Sequence, residues 1–260
     1  MLQNYYQPAK LNSIQKLSAK IKKRITKSLG VYEFQDLQRM VIELDSVKEL
    51  KKLFGWSNDP ILDDEDIYGF EVIHDVNERR IRDAEVIAII VRNTNPSVCL
   101  DIGTAEGHSA ALMSVNAPKS QIYTINIPPE EIASGEGGRY TTFALERERI
   151  GSYYKSRNLN NITQIISNTT KWVPNIGVID VAFVDGSHDK EFVYNDTRKI
   201  LENAKSGSFI LWHDFNLEWQ NKLPWVNDVC QGVDLLREQE QIEGYILHVR
   251  NSWVGIYMVP

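Results

Sequence analysis

Asp185 and His188 stand three residues apart in FVDGSHD, and Asp214 follows His213 in LWHDF. Each aspartate closes an apolar, β-branched run, so each stands where a buried strand reaches the surface. If the two runs are neighbouring strands, roughly 5 Å apart, Asp185 and Asp214 share one site. A pair of carboxylates suits Mg²⁺ or another divalent cation, with water and substrate oxygens completing the shell. Such an ion acidifies a bound hydroxyl, and an imidazole beside it takes the proton, the role His188 would fill. The structural alternative is that each Asp caps the following helix and the histidine is a hydrogen-bonded fixture.

A second constellation lies upstream in SVCLDIGTAEGHSA, residues 97 to 110. An apolar run ends on Asp101, and Gly103 and Gly107 follow. In an open α/β sheet, ligands sit beyond the carboxyl ends of the strands. Gly103 allows a sharp turn there and Gly107 a close approach of backbone to a ligand. A helix beginning near His108 would point unpaired N–H groups at a negative group. A plain strand-to-helix turn reads the same way. The dinucleotide fingerprint is absent, because position 105 is Ala, and so is the phosphate-binding P-loop.

The elements that must position these residues follow from periodicity. SVCLDIG, QIYTINI, ITQIISN, VIDVAFVDG and SFILWHDF are short β-rich runs, with helical stretches such as HSAALMSVNA and EFVYNDTRKILENA between them. That alternation means a mostly parallel sheet with helices on both faces. GYILHVR and WVGIYMVP, joined at a tight NS turn, read as an antiparallel hairpin. Upstream, NERRIRDAEVIAIIVRNTNP reads as a helix ending before Pro96, and FQDLQRMVIELDSVKELKKLFG as a short helix. SNDPILDDED is a polar, proline-bearing linker. The expected organisation is a helical extension over residues 1–75 and an α/β domain over 76–260.

DIGTAEGHSA resembles the first motif of class I S-adenosylmethionine-dependent methyltransferases, an acid followed by Gly-x-x-x-Gly. Its GTAEGHSA continuation is similar to the cation-dependent O-methyltransferases. The resemblance runs from about residue 80 to the C-terminus. It implies a Rossmann-like, mostly parallel seven-stranded sheet whose last two strands are the antiparallel hairpin. It also implies that Asp101, Gly103, Thr104, Glu106, Gly107 and Ser109 hold the methionine part of the cofactor. After the second strand, where the family carries an acid for the ribose, this chain has Asn126. After the third, where an Asp often takes the adenine amino group, it has Asn168 and Thr169. Both Asn positions read equally as strand-end turn residues. The Asp185-x-x-His188 spacing resembles the sugar- and antibiotic-modifying methyltransferases, where the His is the base and the Asp serves metal and cofactor. Asp214 then implies a second metal ligand, although Phe215 stands where the family places a further one, and His213, Asn216 or a water is left to fill the gap. The function implied is methyl transfer from S-adenosylmethionine to a hydroxyl of a small molecule, with a divalent cation. An inactive scaffold and, less favoured, a nucleotide-cofactor oxidoreductase are the competing readings.

Three further stretches bear on partners. GEGGRY, residues 135 to 140, reads as a lid over the site or a long loop. Trp219 and Trp225 lie after the fifth strand, where a substrate would stack or a core would fill. Residues 1 to 30 carry seven basic residues and no acid, so the rest holds 22 basic against 35 acidic residues. An acidic body argues against extended nucleic-acid binding. The basic arm carries an apolar stripe at helical spacing, through Leu11, Ile14, Leu17, Ile21, Ile25 and Leu29. Packing on the domain or homo-oligomerisation through these helices is preferred over a membrane surface, because the stripe lacks Trp and Phe anchors. The longest apolar run, VIAIIV, is too short to span a bilayer. No secretory signal pattern is evident and the two cysteines suit a reducing compartment, so a cytoplasmic location is expected.

Overall fold

A computed structural model describes residues 34–62, 74–141 and 145–260. The basic arm therefore lies outside the described residues. The elements in chain order are α1 (Gln35–Gln38), β1 (Val41–Leu44), α2 (Val47–Phe54), α3 (His74–Thr94), β2 (Val98–Ile102), α4 (His108–Asn116), β3 (Gln121–Asn126), α5 (Pro129–Ala133), α6 (Ser152–Ser156), β4 (Ile162–Ile166), β5 (Ile179–Val184), α7 (Lys190–Leu201), β6 (Ala204–Trp212), α8 (Pro224–Glu238), β7 (Ile246–Val249) and β8 (Gly255–Met258).

One sheet gathers the strands in the order β1-β7-β8-β6-β5-β2-β3-β4. All neighbours run parallel except that β8 lies antiparallel to both β6 and β7. The chain winds outward from β2 through β3 to β4, then returns to place β5 on the other side of β2. That reversal opens a crevice at the carboxyl ends of β2 and β5, the usual place for a ligand in such a sheet.

Both faces of the central strands are covered. Cys99, Val181, Phe183 and Leu211 point to one core with α3 and α4, and Leu100, Ala182, Val184 and Ile210 to the other with α7 and α8. Strands buried on both faces read as continuous apolar runs, which explains why they stand out in the sequence. Both cysteines are buried and unpaired, and burial pushes the Cys230 thiol up to about 12. Each is inert packing.

Two expectations are corrected. The stretch from Phe34 to Gly55 is not one helix: Val41–Leu44 form β1, which pairs in parallel with β7 and makes the sheet eight-stranded. Leu37, Leu44, Val47 and Leu50 are buried, and their spacing imitates a helical stripe while the chain changes from helix to strand to helix. The β7–β8 connection is also longer than a two-residue turn, running from Arg250 to Val254 with Asn251 at φ 63°. Among the described residues, no helix is long and apolar enough to cross a membrane.

Candidate active site

The strand registers set one row across the sheet: Ile125, Ile102, Val184, Trp212, Gly255, His248 and Glu43 are successive partners. Just beyond this row lie the glycine loop, Asp185 and His213. A cleft of about 90 Å³ opens there. Ile102, Ile125, Ile127, Ile132, Leu145 and Phe192 give it apolar walls, with Gly103, Ala105, Asn126, Asn168, Thr169, Asp185 and Asp196 among the remaining lining.

Gly103 sits at φ 105°, and a Cβ there would fall 2.0 Å from the carbonyl oxygen of Asp185. The first glycine thus lets the loops after β2 and β5 touch, so a side chain at 103 disturbs the fold as well as any ligand. Gly107, at φ 92°, gives way to the ring of Tyr154, which would lie 2.4 Å from a Cβ at that position, and is not part of the cleft lining. The expected close approach is therefore to an aromatic ring. Gly103 and Thr104 donate their N–H groups to Ile125, Ala105 donates to Asn126 Oδ1 at 3.0 Å, and Gly107 donates to Thr104. Those amides stiffen the loop. A negative group is left to the first turn of α4, whose N–H groups have no intrahelical acceptor.

The remaining cofactor candidates divide by role. Asp101 is fully buried, its two oxygens accepting from Ser109 Oγ at 2.8 Å and Thr124 Oγ1 at 2.6 Å. Burial pushes its carboxyl up to about 7, against those hydrogen bonds. Thr104 is buried beneath the loop and bonded to Thr124 and Gln164. Glu106 pairs with Arg149 and lies 3.6 Å from His108. Asn126 lines the cleft and braces the loop. Asn168 accepts from Thr170 N–H and hydroxyl through Oδ1 and donates to Glu131 at 2.9 Å, a turn that also anchors α5.

The second constellation converges. His188 Nε2 lies 3.2 Å from Asp185 Oδ1 and 3.6 Å from Asp214 Oδ2. The imidazole thus occupies the space between the two carboxylates that the sequence pairing left for a cation. His213 Nδ1 approaches Asp185 Oδ1 at 2.8 Å, and its Nε2 lies 3.4 Å from Asp83 Oδ2. Burial alone would raise the Asp185 pKa, but the charge of His213 and hydrogen bonds from both imidazoles hold it well below the usual carboxylate range. Burial alone would lower both histidines; the Asp185 and Asp214 carboxylates outweigh it and raise them, His213 strongly. Phe215 turns away into the core, seated over Gly255 and against Trp212.

Two buried acids were not expected. Asp83 on α3 accepts from Ser252 Oγ at 2.9 Å and Trp253 N–H at 2.7 Å, while its other oxygen faces His213. Asp196 on α7 is buried and lines the cleft, and burial pushes its carboxyl up to about 6. Each lies on the buried face of its helix, Asp83 one turn before Ile87 and Asp196 one turn before Ile200. An acid in an apolar stripe is the signal that would have found them. The GEGGRY segment covers one side of the cleft through Gly137. It is latched to α7 and α8: Tyr140 N–H donates to Asp189 at 2.9 Å, and Arg139 pairs with Asp228 at 3.2 Å. Trp219 and Trp225 lie at a second cleft, away from this one.

Residues 100–215 match the family model of a methyltransferase domain, a segment that runs from β2 to the residue after Asp214. Solved structures share the architecture. The O-methyltransferase NovP aligns at 13% identity with a TM-score of 0.52, covering 70% of this chain and 80% of that one. The S-adenosylhomocysteine-bound methyltransferase PaMTH1 of Podospora anserina aligns at 16% identity with a TM-score of 0.50, covering 82% and 95%. At that identity the likeness is one of fold. No curated protein sequence matches the chain.

Proposed function

We propose that this chain methylates a hydroxyl of a small molecule, a sugar or secondary metabolite, with His188 as general base. The observation that carries the reading is the place of Asp185, which lines the cofactor cleft and also holds both imidazoles. The cleft suits S-adenosylmethionine: its isoleucine and phenylalanine walls suit a purine, and Asn126 and Asp196 offer polar contacts. Bound there, the cofactor supplies an electrophilic methyl on a sulfonium. The protein must align the acceptor oxygen with that methyl, exclude water and remove a proton. With the cofactor bound, the acceptor oxygen would take the methyl as the carbon–sulfur bond breaks, and the hydroxyl proton would pass to the ring nitrogen of His188 that does not donate to Asp185. Asp185 and Asp214 on either side stabilise the resulting imidazolium. An alcohol is too weak an acid for an imidazole of ordinary pKa ~6.5 to ionise beforehand, so the two transfers are concerted.

A second reading is favoured by one observation. Single ligand atoms of Asp185, His188 and His213 all lie within 4.8 Å of one another. Two imidazoles and a carboxylate suit Zn²⁺, Mn²⁺ or Fe²⁺ better than Mg²⁺, which prefers oxygen. A cation there would acidify the acceptor, and Asp214 would flank the ligands. His188 would then be a ligand and not the base.

The test uses His188→Ala. The base reading expects turnover to fall ~10²- to 10⁴-fold, with S-adenosylhomocysteine affinity by calorimetry unchanged, because the base acts in the transition state. An active variant removes the mechanism. EDTA decides between the readings: activity lost to chelation and restored by Mn²⁺ or Zn²⁺ makes His188 a ligand, and indifference to EDTA keeps it as the base.

A further inference from the structure

The second cleft lies at the same edge of the sheet, over the ends of β6, β8, β7 and β1, and has a volume of about 910 Å³. Phe215, Trp219, Trp225 and Trp253 give it aromatic walls, and Glu43 and His248 stand among them. Glu43 and His248 are register partners on β1 and β7, and Glu43 Oε2 lies 2.7 Å from His248 Nδ1. The carboxylate fixes the proton on Nδ1, so Nε2 presents a lone pair. His248 is only 7% exposed, and Nε2 is buried with no hydrogen-bond partner among the described residues. A buried imidazole acceptor left unpaired is costly, and a hydroxyl from a ligand would satisfy it. Trp219 is 40% exposed and packs against Trp253, ring centroids 5.8 Å apart and planes tilted by 38°, with the Lys222 ammonium 4.3 Å over the Trp219 ring.

We infer that this cleft binds a glycosyl ring of the methyl acceptor, stacked on the Trp219–Trp253 platform with a ring hydroxyl donating to His248 Nε2. The inference rests on the proposed function for the reaction, but the site stands on its own contacts. A saturated ring presents C–H faces to tryptophan and hydroxyls to the rim, where Gln38, Asn251 and Arg250 add polar groups. A planar aromatic ring would need a narrow slot and few polar partners. The location also fixes a size. From β5, which Asp185 follows, to β7, which carries His248, there are three inter-strand steps, or about 15 Å at ~4.8 Å each. One ring does not span that. The acceptor is an extended glycoside, with the reacting hydroxyl at His188 and a different ring in the aromatic cleft. Asp83 ties the two places together, since it holds His213 with one oxygen and the Trp253 N–H with the other.

The experiment is binding by saturation-transfer NMR and calorimetry, using methyl glycosides of common hexoses and 6-deoxyhexoses, a methyl disaccharide, and catechol. At least one glycoside is expected to bind, the disaccharide more tightly than the single rings. Trp219→Ala, at an exposed position, and Glu43→Gln should each weaken it tenfold or more. S-adenosylhomocysteine calorimetry on the same proteins reports separately on the cofactor cleft. Failure of that titration alone sinks the methyltransferase reading and leaves the glycosyl site. No binding by any glycoside, binding indifferent to both substitutions, or tighter binding of catechol overturns the inference.

Discussion

Asp101 is gripped by two hydroxyls while burial pushes its carboxyl up to about 7. In the unfolded chain its pKa would be ~3.9. Between these values the folded protein holds a proton that the unfolded chain has released. Stability from this group is therefore complete below about pH 4 and is lost as pH rises through 7. Asp196, pushed up to about 6, acts in the same direction. Asp101→Asn cannot ionise, so it escapes part of that loss. Whatever the substitution costs at pH 5, its stability relative to wild type should improve by roughly 2–3 kcal/mol between pH 5 and pH 8. Thermal melts of both proteins across that range check it, and a constant difference refutes the assignment. The same residue cautions against reading the motif acid as a bare anion waiting for an ammonium group. Its own charge is governed by burial.

At the scale of elements, the 135–141 segment behaves as a strap held at its far end. Arg139 is exposed, and its pairing with Asp228 is a surface contact of modest strength. Arg139→Ala should therefore loosen the strap without unfolding it, weakening S-adenosylhomocysteine about two- to fivefold with thermal stability nearly unchanged. Calorimetry and a melt together decide this, and a large fall in stability would mean that the strap is structural. The alternation of strand and helix from Val98 onward was legible because those strands are buried on both faces and so are apolar throughout. β1 was not. It is an edge strand of four residues with the pattern VIEL, and its partner β7 lies about two hundred positions away, where no local rule can see it. Within the site, Asp185, His188 and Asp214 were legible because acids ending apolar runs must sit at one sheet edge. Asp83 and Asp196 belong to helices, and their arrival at that edge depends on how α3 and α7 pack. Gly107 was read as room for a ligand, and the ring of Tyr154 fills that room instead.

Across the whole molecule, one register row, from Ile125 to Glu43, lines up the cofactor cleft, the Asp185–His188–His213 cluster and the aromatic cleft in that order. The two clefts share no lining residue, and each opens on its own side of the cluster. Neither occupant need pass through the other's seat, so neither has to arrive or leave first. The steady-state signature is a random sequential mechanism. Double-reciprocal plots should intersect to the left of the ordinate, and S-adenosylhomocysteine should inhibit competitively against the methyl donor and noncompetitively against the acceptor. An acceptor analogue should likewise inhibit noncompetitively against the donor. Uncompetitive inhibition by that analogue would instead mean a compulsory order, with the donor first and the acceptor's seat completed only afterwards.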